Sequence, residues 1–590
     1  MGAATDTPGS PVSRLKLPLT IAMLCLGATP LAAQAPPPLP GLIERLTPPE
    51  PPALGPALVP PRPQARTGPG AAQRVAIDRA QITGASALPE AALRALVAPL
   101  EGRLVSLAEI EAARLALLGA YRAAGYPYVA VTAALGAGET VGFALRFTIT
   151  EGFVAGLRLT GADIGPAARQ VERFLAPLLD QRPLPHAALE RALLLAGDIP
   201  GVSARGTLRP LPGEPGALAL EVELSRAPIT GFVNLDNRGY ALTGAWQGLL
   251  VGQLNAFTRF GERSEVALVQ SESHGQSFLQ FSEEVFLGGS GLRLRGYAGA
   301  GRAAPGAPLA SIGYAGETRV AGAALAYPLI RSRPLNLSAT AQFDAFESVV
   351  EARPGAEESR IRVSRDAVRA LRLGLDGAMQ DGWLGTAPAA ATSTALLRLH
   401  RGIEALGAST GDAAATARTG SDFGFFRVVG EVSRSQPLFL PAEGWLLSAY
   451  ALGAVQWSDD VLPPAEKFYL GGNRLGRGFY AGQVSGDRAL AFTGELQLAS
   501  QRPLHLPGRA APVLLGTQFY LFRDAGEASD NGPGEGTRRL SSWGGGVRLQ
   551  FDERVQLDLE AVRRLTRMPD GSGVRELDAN ALYGRVLLRF

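Results

Sequence analysis

The sequence predicts a transmembrane β-barrel of sixteen antiparallel strands preceded by two small α+β modules. Three observations carry that expectation. Alternating apolar and polar segments occupy most of residues 228–590, the period-two pattern of strands with one face on lipid and the other on a polar lumen. An export leader opens the chain. Between leader and barrel, one pattern of about 75 residues occurs twice.

Bulk composition narrows the function classes. The chain has 590 residues, 19% of them charged, with 72 glycines and 44 prolines. Its formal net charge of +3 is small for this length and gives no general attraction to nucleic acid. The four histidines, at 186, 274, 400 and 505, form no cluster, and Cys25 is the single cysteine. Neither a metal nor a cofactor is expected. The string Gly407-Ala408-Ser409-Thr410-Gly411 matches a nucleophile elbow, but it lacks the buried strand and following helix that expose such a serine. Gly299-Ala300-Gly301 superficially resembles a dinucleotide-binding turn and instead belongs to the barrel region. No catalytic residues are assigned, and the chain is not expected to be an enzyme.

Residues 1–35 have the grammar of a secretory signal peptide. Arg14 and Lys16 precede the apolar run Leu17–Leu26, and Ala33-Gln34-Ala35 supplies a small-x-small cleavage site. Pro18 and Pro30 shorten the apolar run and disfavour a membrane anchor helix. Cleavage would remove Cys25 and leave a mature chain without thiols, which suits an oxidising compartment. Residues 36–72 are proline-rich and read as an extended tether. Within them, Leu42-Ile43-Glu44-Arg45-Leu46 is enough for about a turn and a half of helix.

The first module, residues 73–151, reads as strand, helix, helix, strand, strand. Val75 and Ile77 begin a strand ended by Gly84; Leu93, Leu96 and Val97, then Leu107, Ile110, Leu115 and Leu118, mark two amphipathic helices. Tyr126–Val131 and Val141–Ile149 alternate as strands. The second module, 152–227, repeats the order, with helices around Ala167–Leu179 and Ala187–Leu195. In each, helices can cover one sheet face and leave a sheet edge free for an incoming strand.

The barrel, 228–590, divides into sixteen alternating segments from 229–237 to 580–590. In the last, Leu582, Val586, Leu588 and Phe590 share one face, and Tyr583, Arg585 and Arg589 the other. Connections after odd segments include long ones, such as 404–420 and 459–487, whereas even ones include Leu287-Gly288-Gly289 and the single Asp552, with 381–390 and 502–510 as longer exceptions. Long outer loops with short periplasmic turns are the pattern of outer-membrane barrels; a large soluble β-protein is the alternative. The terminal Phe590 either serves barrel assembly or merely caps the last strand.

Loop 459–487 is unusual because six of the seventeen residues from Gly471 to Asp487 are glycine, interspersed with Arg474, Arg477, Phe479 and Tyr480. Glycine permits close backbone approach, while buried arginines need carboxylates. On the segment 511–524, Asp524 shares parity with Phe522, Tyr520 and Gln518, whereas Leu521, Phe519 and Leu515 face the other way. An inward Asp524 can therefore meet an in-folded Arg477 in a bidentate pair.

These residues resemble a known superfamily. Arg477-Gly478-Phe479, framed by Gly471-Gly472 and Gly486-Asp487, looks like the loop-six motif shared by BamA and the two-partner secretion transporters, with Gly476 where a β-branched residue is usual. Phe522-x-Asp524-x-Gly526 resembles the matching barrel-wall motif, and Asp236-Asn237-Arg238-Gly239 the first-hairpin motif of the secretion branch. The repeats resemble POTRA domains. Two POTRAs and sixteen strands are the pattern of TpsB transporters such as FhaC, ShlB and HecB; BamA usually carries five. The resemblance implies an outer-membrane protein of bacteria with its POTRA domains in the periplasm. It further implies export, without ATP, of a large TpsA exoprotein of haemolysin, haemagglutinin or adhesin type. Outer-membrane lipids and, during biogenesis, the barrel-assembly machinery are the other partners. In some relatives a helix before the linker plugs the pore, and Leu42–Leu46 resembles a reduced version. An assembly factor like BamA or TamA is the alternative; a passive porin would not need POTRAs.

Overall fold

The computed structural model describes Thr47 and residues 73–590, apart from 139–141, 162–164, 241, 307–308, 354–358, 412–414, 506, 510, 535 and 570–574. The leader, the Leu42–Leu46 patch and nearly all of the proline-rich segment lie outside the described residues.

The first module contains β1 (Arg74–Thr83), α1 (Glu90–Val97), β2 (Arg103–Ser106), α2 (Leu107–Ala123), β3 (Val129–Ala137) and β4 (Phe143–Glu151). Its sheet runs β2-β1-β4-β3, with β1 and β4 parallel. The four-residue β2 is an element that the sequence pattern lacked. It is too short to show alternation, and it forms because the β1 edge supplies an antiparallel partner. Ser106 and Glu109 start α2 with reciprocal hydrogen bonds, 3.2 Å from the Glu109 N–H to Ser106 Oγ and 2.7 Å from the Ser106 N–H to Glu109 Oε2. Leu93, Val97, Leu117, Tyr121, Leu145 and Phe147 build the core. Two of the expected apolar positions, Leu96 and Leu107, are exposed.

The second module contains β5 (Phe153–Thr160), α3 (Ala168–Leu175), α4 (His186–Gly197), β6 (Val202–Pro210) and β7 (Ala217–Arg226), in sheet order β5-β7-β6. Its helices also fasten it to the base of the barrel. Asp198, after α4, accepts from Arg331 at 2.9 and 2.6 Å. Gln170 donates to the Gly288 carbonyl at 2.7 Å, and Phe174 packs edge-on against Phe286 at 5.2 Å.

The barrel closes through sixteen strands. Its first half is β8 (Ile229–Asp236), β9 (Gln247–Asn255), β10 (Arg263–Ser271), β11 (Gln276–Phe286), β12 (Arg293–Ala303), β13 (Ala315–Arg331), β14 (Leu335–Ala352) and β15 (Ile361–Asp381). It continues with β16 (Ala391–Gly402), β17 (Phe426–Ala442) and β18 (Trp445–Trp457). A hairpin of β19 (Phe468–Leu470) and β20 (Val484–Gly486) then leaves the wall. The wall resumes with β21 (Arg488–Leu504), β22 (Val513–Ser529), β23 (Thr537–Phe551), β24 (Val555–Arg564) and β25 (Asn580–Arg589).

Period-two alternation sorts the side chains as expected. On β22, Phe519 and Leu521 are 49% and 64% exposed on the outer face, while Tyr520, Phe522 and Asp524 are buried within. Among the described residues no helix is long and apolar enough to cross a membrane; in this architecture the strands cross. Closure between β25 and β8 rests on five residue pairs, from Phe232–Arg589 to Asp236–Arg585, against eighteen between β14 and β15. Asn237 prolongs that short seam by imitating backbone: its Nδ2 donates to the Leu582 carbonyl at 3.2 Å, and its Oδ1 accepts from the Gly584 N–H at 2.9 Å. At the other end Phe590 exchanges two backbone bonds with Gly231, at 2.9 and 3.0 Å.

Candidate functional site: a loop folded into the lumen

The long connection between β18 and β21 turns inward. Leu470, Phe479 and Val484 of the loop form one buried cluster with Ala489, Ala491, Ala528 and Leu540 of the wall. These alanines and Gly526 keep the inner face of β21 and β22 shallow, and a Cβ on Gly526 would stand 3.1 Å from Leu470 Cδ1. The small residues make room for the loop.

Arg477 is buried at the centre of this contact. Its backbone N–H donates to Asp524 Oδ2 at 2.7 Å, Nε to the same oxygen at 3.1 Å, and Nη2 to Oδ1 at 2.8 Å. The bidentate geometry inferred from strand parity is present. Nη1 also meets the Glu495 carboxylate, Nη2 donates to Thr493 Oγ1 at 2.7 Å, and the guanidinium lies 3.7 Å from the centre of the Phe522 ring. The three residues of the wall motif thus divide the contact between them. Phe522 stacks, Asp524 pairs and Gly526 yields space.

The other predicted loop residues meet the wall as well. Phe479 is fully buried, and Gly478 sits so close to β23 that an added Cβ would be 2.7 Å from Ser542 Cβ. The Gly478 carbonyl accepts from Tyr583 Oη at 3.0 Å and from the Arg564 guanidinium. Gly476 has φ +80°. A β-branched residue is poorly suited to that conformation, so the local backbone accounts for glycine there.

The first-hairpin motif joins the same assembly. Asp236 accepts from the Arg238 N–H and from Gln247 Nε2, each at 2.9 Å. Arg238 donates to the Arg477 carbonyl at 3.1 Å, pairs with Glu560 and lies over the Tyr583 ring. A Cβ on Gly239 would stand 2.3 Å from the Gly244 carbonyl oxygen. Glu495 binds Arg548 at 3.1 Å, and Tyr520 donates to Glu560 at 2.7 Å. Three arginines, 238, 477 and 548, are therefore offset by Asp524, Glu495 and Glu560, as charges withdrawn from solvent require.

Sequence reasoning missed Thr493, Glu495, Glu560 and Arg548. The alternation of their strands signalled inward placement, but only the register, with Thr493 opposite Asp524 and Glu495 opposite Phe522, brings them to Arg477. It also missed a brace at the rim. There Arg418, from the β16–β17 connection, holds Asp487 in a bidentate pair at 2.7 and 2.8 Å. The elbow-like Ser409 is buried structure: its Oγ accepts from the Ala367 N–H at 3.0 Å and faces the Arg365 carbonyl at 3.3 Å.

A family model described as haemolysin secretion/activation protein ShlB/FhaC/HecB matches residues 217–549, and a POTRA domain model of ShlB type matches 75–152. No curated protein matches the chain. Among solved structures, CdiB from Escherichia coli is similar in fold, with TM-score 0.65 and 19% identity, covering 98% of this chain and 100% of that one. CdiB from Acinetobacter baumannii gives TM-score 0.59 and 16% identity, covering 97% of each chain. The family match spans more than half of the 590 residues. With two α+β modules, a sixteen-stranded barrel and an in-folded loop six, the chain belongs to the ShlB/FhaC/HecB family of outer-membrane transporters.

Proposed function

We propose that the chain is the bacterial outer-membrane transporter of a two-partner secretion pair. It takes up a large TpsA exoprotein of haemolysin, haemagglutinin or adhesin type through its POTRA domains and exports it without ATP. The observation that carries this reading is the lumen. A sixteen-stranded wall is wide enough for an aqueous path, and the polar part of the contact that holds the loop across it is made of side-chain ion pairs such as those around Arg477. Such pairs can exchange partners while the barrel ladder stays intact, which suits intermittent passage of an unfolded chain. The second POTRA docked at the barrel base supports delivery of that chain to the periplasmic mouth.

One observation favours the second reading, a BamA- or TamA-like assembly factor. Templating a new strand needs an accessible sheet edge, and the five-pair seam is the shortest closure in this wall. Asn237 and Phe590 reinforce that seam from both ends. The test is secretion of a very large β-helical protein encoded beside this gene, in cells with and without the transporter. A disulfide between cysteines placed at Leu235 and Val586, a facing pair of that seam outside the loop-six assembly, forms the second arm. Secretion that requires the transporter and survives the locked seam is expected. Export in its absence overturns the transporter reading for that partner, and loss of barrel assembly on locking the seam favours the assembly factor.

A further inference from the structure

The first third of loop six carries a second buried charge, opposite in sign to Arg477. Glu466 lies in a short 3-10 turn, Pro464–Glu466, just before β19. Its side chain is almost completely buried. Oε1 pairs with Arg372 Nη2 at 2.8 Å, and Oε2 pairs with Arg427 Nη2 at 2.7 Å. Arg372 projects from β15 and Arg427 from β17, so one carboxylate bridges two strands that are not neighbours. The strand between them contributes His400, whose Nδ1 lies 3.0 Å from Arg427 Nη2. An arginine can only donate, so that nitrogen accepts and the imidazole adds no charge. Asp344 of β14 pairs with Arg372, leaving two guanidiniums balanced by two carboxylates.

The backbone is held here too. The Glu466 carbonyl accepts from Gln456 Nε2 at 3.2 Å and from the Arg427 guanidinium. Gln456 Nε2 also donates to the Asp487 carbonyl at 3.1 Å, tying the start of the loop to its end. None of the side chains paired with Glu466 belongs to the Arg477 assembly on β21–β25 and the first hairpin. The two clusters use opposite polarity: the loop brings an arginine to carboxylates in one and a carboxylate to arginines in the other.

We propose that Glu466 is a positioning residue for loop six, an anchor against β14–β17 that acts independently of the Arg477 motif. Besides the Arg418–Asp487 brace at its end, the loop is then a beam fixed at two further places on the wall. Release at one leaves the other engaged, so intermediate openings exist between a closed lumen and a free loop. The proposal relies on the transporter reading only for the use made of those openings.

The test needs no exported partner. The chain's single cysteine is Cys25, so in a Cys25→Ser background single thiols at Ala465 and, separately, at Tyr480 report on the two parts of the loop by their rate of maleimide labelling in the purified full-length protein. Glu466→Gln should raise labelling at position 465 about tenfold, as local opening replaces a held state, and leave labelling at 480 within about twofold. Glu466→Asp should restore part of the protection, a rescue that loss of general stability would not show. If Glu466→Gln fails to give the folded form on unheated gels, Arg372→Lys with Arg427→Lys keeps the charges and removes the forked geometry. That double variant should raise labelling at 465 alike. Unchanged labelling at 465 in the folded variant, or equal rises at 465 and 480, overturns the proposal. Loss of secretion alone, with labelling unchanged, would bear on the transporter reading and also overturn the anchor.

Discussion

The α+β modules and the barrel lumen are held in different ways. In the first module Leu117, Tyr121 and Phe147 lie fully buried against one another, and removal of water from apolar surface is the organising force. In the barrel many of the large apolar side chains of the wall face outward, and although Leu470, Phe479 and Val484 bury an apolar patch against the wall, the contact at the centre of loop six is set by Arg477, Asp524, Glu495 and their neighbours. Apolar packing is graded and non-directional, so a module tolerates small changes by relaxing. A buried ion pair is directional: losing one partner strands the other charge where water does not compensate it.

The most damaging change on this comparison is Arg477→Ala. It leaves Asp524 without its bidentate partner, a local cost of about 3–5 kcal/mol. Secretion should fall sharply while unheated gel mobility still reports a folded, inserted barrel. Asp524→Ala should behave alike, and the double variant should add little because the two side chains act as one unit. Normal export by either single variant would detach the pair from transport. Leu117→Ala comes next: its deletion from the first module's core should cost about 2–5 kcal/mol. Protease resistance of the module should drop at lower temperature, with barrel mobility unchanged; coupled loss of both would show that the regions do not fold separately.

The smallest effect expected is an acid response confined to the module. Burial pushes the Glu151 carboxyl up, but hydrogen bonds from Ser86, Tyr121 and Ala87 outweigh it and hold the group below its usual value. A depressed folded value means this contribution is present above the unfolded carboxylate pKa and is lost as pH falls through the folded one. Amide exchange near Ser86 and Ala87 should therefore quicken in acid, and Glu151→Gln should remove that pH dependence. An unaltered profile in the variant would place the acid response elsewhere.

Sixteen strands were legible because lipid on one side and a polar lumen on the other impose alternation along long segments. The end of β22 even gave the direction of Asp524 from parity alone. What stayed hidden depends on register and through-space contact. Nothing in the sequence near Glu466 names Arg372 or Arg427, 94 and 39 residues distant. Glu495 had the right face, but only pairing with β22 puts it beside Arg477. The strand β2 was hidden for a different reason, since four residues carry too little pattern and its formation depends on a neighbour's free edge. Gly476 looked anomalous in one dimension and became ordinary once its positive φ was known.

The Asp198–Arg331 pair has a mechanical consequence. The chain runs from β7 through Ala227 and Pro228 directly into β8, one side of the five-pair seam. Without another connection, tension on the second module would pull on the least-paired strand of the ring. Asp198 grips Arg331 at the foot of β13, which is laddered to β14 and through it to the eighteen pairs shared with β15. The pair is therefore placed as strain relief, diverting load on the second module from the seam into the most extensively paired part of the wall.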